Sequence, residues 1–282
     1  MAAKGSLFAN DPKPKKKTLP ELSHTLPLPI KYKARTDGLR IEAVFTGYTV
    51  DVTNTESIRV LCLNGCFGQG MLSRAFPACL TNASDLPRKR RWNKQAGKTD
   101  PGTSSQACDS RLNEPLCLFL EEAFFLIHTL NILQLKDLFE SPISALEAFD
   151  RFRKIRKHFL ASYCAYLYLK SKNWIIKSGL KFGGDFVIYV KGPQFNHASY
   201  IVLIQAMVDG NQISSHTVDG LDFQGFNRIA ETTAKDILFL EVLYPATLDL
   251  SDSGACLERL KEVRVAETFT KHHNYLAARN QS

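Results

Sequence analysis

The chain has 282 residues, 44% hydrophobic and 23% charged, a globular composition with length for about two domains. Lys and Arg number 36 against 28 Asp and Glu, and the resulting net charge of +8 favours a polyanionic partner such as nucleic acid. The longest apolar runs, such as residues 186–190, fall far short of the roughly 20 residues a membrane-spanning helix needs, so no membrane partner is expected.

Residues 1–27 read as a disordered basic arm, because Asp11-Pro12-Lys13-Pro14-Lys15-Lys16-Lys17 mixes prolines with a lysine run. Such a run serves as a weak nuclear-import signal, a non-specific RNA contact or a solvated tail. No apolar segment with a cleavage site follows Met1, which argues against secretion. The seven cysteines form no Cys-x-x-Cys pair and read as small hydrophobes in a reducing compartment. The spacings of Cys62, Cys66, Cys79, Cys108 and Cys117 fit no standard zinc pattern, so no metal site is expected.

Residues 28–76 and 113–160 are expected to form an N-terminal mixed α/β domain. The stretch 39–50 alternates apolar and polar residues as strands do, and 58–63 is read as a further strand after a polar turn. Asn64-Gly65-Cys66-Phe67-Gly68-Gln69-Gly70 lacks the Gly-Lys-Ser/Thr ending of a phosphate loop and reads as a glycine turn. Residues 77–112 hold Arg88-Lys89-Arg90-Arg91 and a Gly/Thr/Ser/Gln stretch, a basic mobile linker. Helical periodicity is expected from Glu114 to Leu130, and again in one long run over 148–172. Ser144 and Glu147 are placed as a capping box before that second run.

From residue 161 to 282 the chain reads as a C-terminal α+β domain with a central mixed sheet. Its expected strands are 185–190, 199–206, 236–243 and 263–269, with a short helix near 221–227. The fold class as a whole is α+β. The most informative segment is Tyr189-Val190-Lys191-Gly192-Pro193-Gln194-Phe195-Asn196-His197-Ala198-Ser199-Tyr200. A strand ends at Tyr189, a Gly-Pro turn follows, and His197 precedes the next apolar run. Two proton-transferring side chains thus flank one turn. Taken singly, each has a bland alternative: a strand-end aromatic and a satisfied histidine.

This run resembles the signature of the tRNA-splicing endonuclease catalytic subunits, in which a tyrosine and Lys-Gly-Pro precede His-Ala-Ser-Tyr. Lys235, after Asn227-Arg228, matches the family's third catalytic position. The segments 64–74 and 120–126 resemble its N-terminal domain, and Lys170-Ser171-Lys172-Asn173-Trp174 leads into the catalytic domain as the family does. The Lys191-Gly192-Pro193 form is similar to the subunit that cuts the 5′ splice site, the 3′-cutting paralogue being the alternative. Arg228 matches a substrate-binding arginine. The tryptophan that partners it in the family falls in register near Thr268, so Phe269 is expected to substitute.

The resemblance implies a metal-independent endoribonuclease without cofactors, acting on intron-containing pre-tRNA. It further implies a nuclear hetero-tetramer with sister subunits. Attack by the adjacent 2′-hydroxyl leaves a 2′,3′-cyclic phosphate and a 5′-hydroxyl. By the same resemblance Tyr189 is the base, His197 the acid and Lys235 the electrostatic stabiliser, roles that suit in-line phosphoryl transfer. A non-catalytic structural or RNA-binding subunit of the same fold is the competing reading. Asp185, Asp209 and Asp219, the other conceivable metal ligands, lack ligand-like spacing.

Overall fold

The computed structural model describes residues 40–71, 77, 114–213 and 220–270. The arm 1–27, Arg88 to Arg91, Cys79, Cys108 and Asp219 lie outside the described residues. The chain divides into two compact units between Ala148 and Phe149.

The first unit is built on a six-stranded sheet. Its elements are β1 (Ile41–Phe45), β2 (Val50–Val52), α1 (Thr55–Leu63), β3 (Gln69–Gly70), β4 (Leu116–Leu118), α2 (Leu120–Phe124), β5 (Leu133–Lys136) and β6 (Pro142–Ile143). The strand order is β3-β4-β2-β1-β5-β6, with β1 and β5 parallel and the other neighbours antiparallel. Two expectations are corrected here. Residues 58–63 are helical, because Asn54 caps the helix by accepting from the Ser57 N–H at 3.0 Å. Ile58, Leu61 and Cys62 then bury one face at helical spacing. A short apolar run does not by itself distinguish strand from helix. Conversely, 116–118 is a strand, buried throughout between β2 and β3, and the helix starts only at Leu120. It continues as a wider π turn over Phe125–Thr129.

Gly68 has a positive φ of 68°, and a Cβ there would meet Leu116 Cγ at 2.6 Å. Its N–H donates to the buried Glu122 carboxylate at 3.0 Å. The glycine turn thus seats α2 against β4.

The helix α3 (Ala145–Ile155) runs across the division at Ala148, and at its start Ser144 Oγ accepts from the Glu147 N–H at 3.2 Å as the capping pattern requires. The expected single helix over 148–172 is broken: α4 (Phe159–Ser171) is separate. Phe159 meets Phe149 and Phe152 edge-on, at 5.7 and 5.4 Å between ring centroids. In one straight helix Phe159 would lie about 10 Å along the axis from Phe152, so the break makes these contacts possible. The same contacts tie α3 to α4.

A second six-stranded mixed sheet follows, made of β7 (Ile175–Ser178), β8 (Phe186–Tyr189), β9 (Tyr200–Val208), β10 (Asn211–Gln212), β11 (Asp236–Tyr244) and β12 (Arg264–Thr270). The order is β12-β11-β9-β8-β7, with β10 paired to β9. All pairs are antiparallel except β9 with β11. Parallel neighbours need a crossover, and here it carries α5 (Gly220–Thr233), longer than the short helix expected. A last short helix, α6 (Ser253–Glu258), precedes β12.

Side chains alternate between the two faces of this sheet. On one face Val187, Ile201 and Ile237 pack with Ala198 and with Ala230 of α5. Phe223 of α5 stacks on Phe239 at 6.2 Å. On the other face Phe186 meets Tyr166 of α4 at 6.2 Å. The apolar run 237–240 belongs to β11, paired on both sides, so it is not the free edge that its sequence alone allows. β12 occupies that edge. No helix among the described residues is long and apolar enough to cross a membrane.

Candidate active site

The connectivity of the second sheet assembles the site. β8 runs antiparallel to β9, so the end of β8 lies beside the start of β9. β9 runs parallel to β11, so the start of β11 lies at that same end. Tyr189 is the last residue of β8, His197 precedes β9, and Lys235 immediately precedes β11. The Ser199 N–H donates to the Ile188 carbonyl at 2.9 Å, while the Ser199 carbonyl accepts from the Asp236 N–H at 3.2 Å. The two sides of the β8–β9 turn and the distant start of β11 thereby meet at one corner.

Tyr189 is half-buried, packed against the apolar cluster that lies under α5. Burial holds its phenol above the ordinary tyrosine range. His197 is exposed, between the buried Asn196 and the buried Ala198. The turn that presents it is closed by the Phe195 and Asn196 N–H groups, both donating to the Gly192 carbonyl at 3.1 Å. Gly192 adopts a φ of 123°, a conformation that favours glycine.

Lys235 follows the C-terminus of α5. Its N–H donates to the Ala230 carbonyl at 2.9 Å, and Ala234 turns the chain with a φ of 50°. The ammonium donates to the Thr233 carbonyl at 3.0 Å and lies 4.4 Å from the centroid of the Phe182 ring. Burial lowers its pKa from the ordinary lysine value. Phe182 packs on the same apolar cluster as Tyr189, which puts the phenol strand and the ammonium anchor on one face. The sequence reading assigned no role to Phe182. Its only signal was an aromatic next to the Gly183-Gly184 pair.

Arg228 is exposed on α5. Phe269 is 40% exposed, and β12 pairs it with Leu238, whose own partner Val202 pairs with Phe186 on the α4 face. Thr268, paired with Phe239, faces α5 instead. Phe269 thus stands at a register position on the α4 face of the sheet, while Arg228 is carried by α5. A single step of strand register separates Phe269 from Thr268 and puts the two on opposite faces of the sheet.

No group of three or more His, Cys, Asp or Glu among the described residues is arranged to hold a metal ion. The corner offers instead a phenol, an imidazole and an ammonium: two groups able to exchange a proton and one fixed positive charge.

Residues 159–245 match the family described as tRNA intron endonuclease, catalytic C-terminal domain. The chain is 36% identical over 155 residues to the tRNA-splicing endonuclease subunit Sen2 of Gallus gallus, covering 54% of this chain and 33% of that protein. It is 34% identical over 142 residues to the probable subunit Sen2 of Oryza sativa subsp. japonica, covering 50% and 48%. It is 35% identical over 80 residues to the tRNA-splicing endonuclease of Sulfurisphaera tokodaii, covering 28% and 41%. The match thus spans a third of the length of the chicken relative and about half of the rice one.

Proposed function

We propose that this chain, which carries a tRNA intron endonuclease catalytic domain, is a catalytic subunit of a tRNA-splicing endonuclease and cuts intron-containing pre-tRNA at the 5′ splice site. The observation that carries the reading is the convergence of Tyr189, His197 and Lys235 at the shared end of β8, β9 and β11.

In-line attack by a 2′-hydroxyl needs a proton acceptor, a proton donor for the leaving 5′-oxygen, and positive charge at the phosphoryl oxygens. Tyr189 takes the proton from the 2′-hydroxyl. From an ordinary pKa near 10, ionising a tyrosine beforehand at pH 7 costs about 4 kcal/mol, and burial raises that cost. Only the phenolate can take that proton, so Tyr189 first releases its own proton to solvent, the reacting species is its small ionised fraction, and the ionisation cost is part of the barrier. His197, exposed to an incoming substrate, supplies the proton to the leaving oxygen. Lys235 offsets the charge that develops on the phosphoryl oxygens. The P–O5′ bond breaks as the P–O2′ bond forms, leaving a 2′,3′-cyclic phosphate and a 5′-hydroxyl without a metal or cofactor.

The 5′-site assignment rests on the resemblance of the Lys191-Gly192-Pro193 form of the motif to the subunit that cuts that site. Membership of a nuclear hetero-tetramer with sister subunits completes the proposal. The test is cleavage of a pre-tRNA by the reconstituted complex, with mapping of both cut sites and analysis of the product ends. A 3′-phosphate that was never cyclic, or loss of the 3′ cut on disabling this chain, overturns the corresponding part.

A further inference from the structure

We infer that Phe182 is a positioning residue for Lys235, its ring face fixing the ammonium at the corner where β8, β9 and β11 meet. The inference rests on the reading of Lys235 as the charge that meets the phosphoryl oxygens.

Lysine carries its charge on a flexible four-carbon stem, so an unanchored ammonium samples many positions. Here two contacts define it, the Thr233 carbonyl at 3.0 Å and the Phe182 ring at 4.4 Å. That distance is well inside the range of about 6 Å over which an aromatic face attracts a cation. The ring itself is held. Phe182 closes a 3-10 turn (Leu180–Phe182), its N–H donates to the Gly179 carbonyl at 2.7 Å, and its side chain packs on the cluster under α5. Gly183 behind it has a φ of 73°, and a Cβ there would come 3.1 Å from the Phe226 ring. Glycine therefore lets the turn close against α5.

An aromatic face suits this task chemically. It attracts the ammonium without neutralising it, whereas a carboxylate in the same place would cancel the charge that the phosphate needs. No carboxylate among the described residues pairs with Lys235. With one N–H donated to the Thr233 carbonyl, the ammonium's remaining donors stay available for the substrate.

The test is single-turnover cleavage by the reconstituted complex carrying Phe182→Leu, Phe182→Tyr or, as reference, Lys235→Met. Phe182→Leu should slow cutting at this subunit's site about tenfold with pre-tRNA affinity unchanged, whereas Phe182→Tyr, which keeps the ring, should stay within about twofold of wild type. A readout independent of cleavage is NMR of the ¹³C-methylated lysines in the same complex. The signal that disappears in Lys235→Met should carry a ring-current shift, and Phe182→Leu should abolish it. Wild-type rates for Phe182→Leu beside an inactive Lys235→Met would overturn the inference and leave the proposed function standing. Equal losses in Leu and Tyr, tracking thermal stability, would also overturn it by making the ring packing alone. An active Lys235→Met would overturn the underlying reading instead.

Discussion

Asp236 donates its backbone N–H to the carbonyl of Ser199 across 3.2 Å. That bond starts the parallel ladder between β9 and β11, whose first paired residues are Tyr200 and Asp236. It places Lys235 beside the His197 turn although 38 positions separate them in the sequence. The parallel pair reached through α5 joins these groups, so the site depends on the long-range topology of the second unit.

His197→Ala should reduce one of the two splice-site cuts by about 10² to 10⁴ while leaving pre-tRNA binding largely intact. His197 is exposed, so its loss opens no core cavity, and a proton donor acts in the transition state more than in ground-state affinity. Cleavage of both sites at normal rates would remove it from the mechanism. Loss of the 3′ cut would reassign the subunit.

Cutting should persist in excess EDTA, since a phenol, an imidazole and an ammonium complete the proposed reaction. Magnesium also helps RNA fold, so the comparison uses pre-folded RNA under single-turnover conditions. Chemistry restored only by one particular divalent ion would contradict the mechanism.

The burial of Lys235 has a consequence for stability. Its folded pKa lies below the unfolded value of about 10.4, so between the two the unfolded chain binds more protons and stability rises with pH. Tyr189 acts in the opposite sense: its raised pKa makes stability fall as pH rises above about 10. Comparison with Lys235→Met isolates the contribution of the lysine from those of Tyr189 and the buried cysteines. Wild type should therefore gain stability relative to Lys235→Met as pH rises from neutrality towards 10, measured by denaturant midpoints. A difference that does not change with pH would show that the charge is as well solvated folded as unfolded.

The strands of the second unit were legible because β8, β9, β11 and β12 are bounded by turns and rich in β-branched and aromatic residues. The motif residues were legible through resemblance, since neither Tyr189 nor His197 differs alone from an ordinary strand-end aromatic or surface histidine. What sequence missed has physical causes. Residues 58–63 carry an apolar run that a capping Asn54 turns into a helix, and the cap outweighs the strand-like composition. The break between α3 and α4 follows from aromatic packing of Phe159, which periodicity does not encode. The role of Phe182 depends on a contact with a residue 53 positions away, and no local pattern reports it.

Assembly should be required for accurate cutting. β12 forms an edge of its sheet, and an uncovered edge leaves unpaired backbone groups that favour a partner strand. The isolated chain is expected to be poorly soluble or inactive. A monodisperse monomer, seen by sedimentation, that cuts both sites of a pre-tRNA accurately would remove the case for sister subunits.

The final expectation separates Arg228 from Phe269. A guanidinium is planar and permanently charged, so an exposed arginine on α5 can lie flat on an unstacked base as well as meet a phosphate. Base stacking contributes about 1–3 kcal/mol, whereas a surface ion pair contributes under about 1 kcal/mol. Arg228→Lys keeps the charge and loses the flat surface. If stacking is its task, the variant should cut about tenfold more slowly, chiefly at the site served by the other catalytic subunit, as the resemblance implies. Phe269 pairs with Leu238, a register position on the sheet face away from α5. Phe269→Ala should therefore leave both rates near wild type, and Thr268, on the α5 face, is the better position for a substitution that alters them. Wild-type cutting by Arg228→Lys would reduce the arginine to a surface charge. A loss in Phe269→Ala equal to that of Arg228→Lys, and not additive with it, would show that the two act together despite the register.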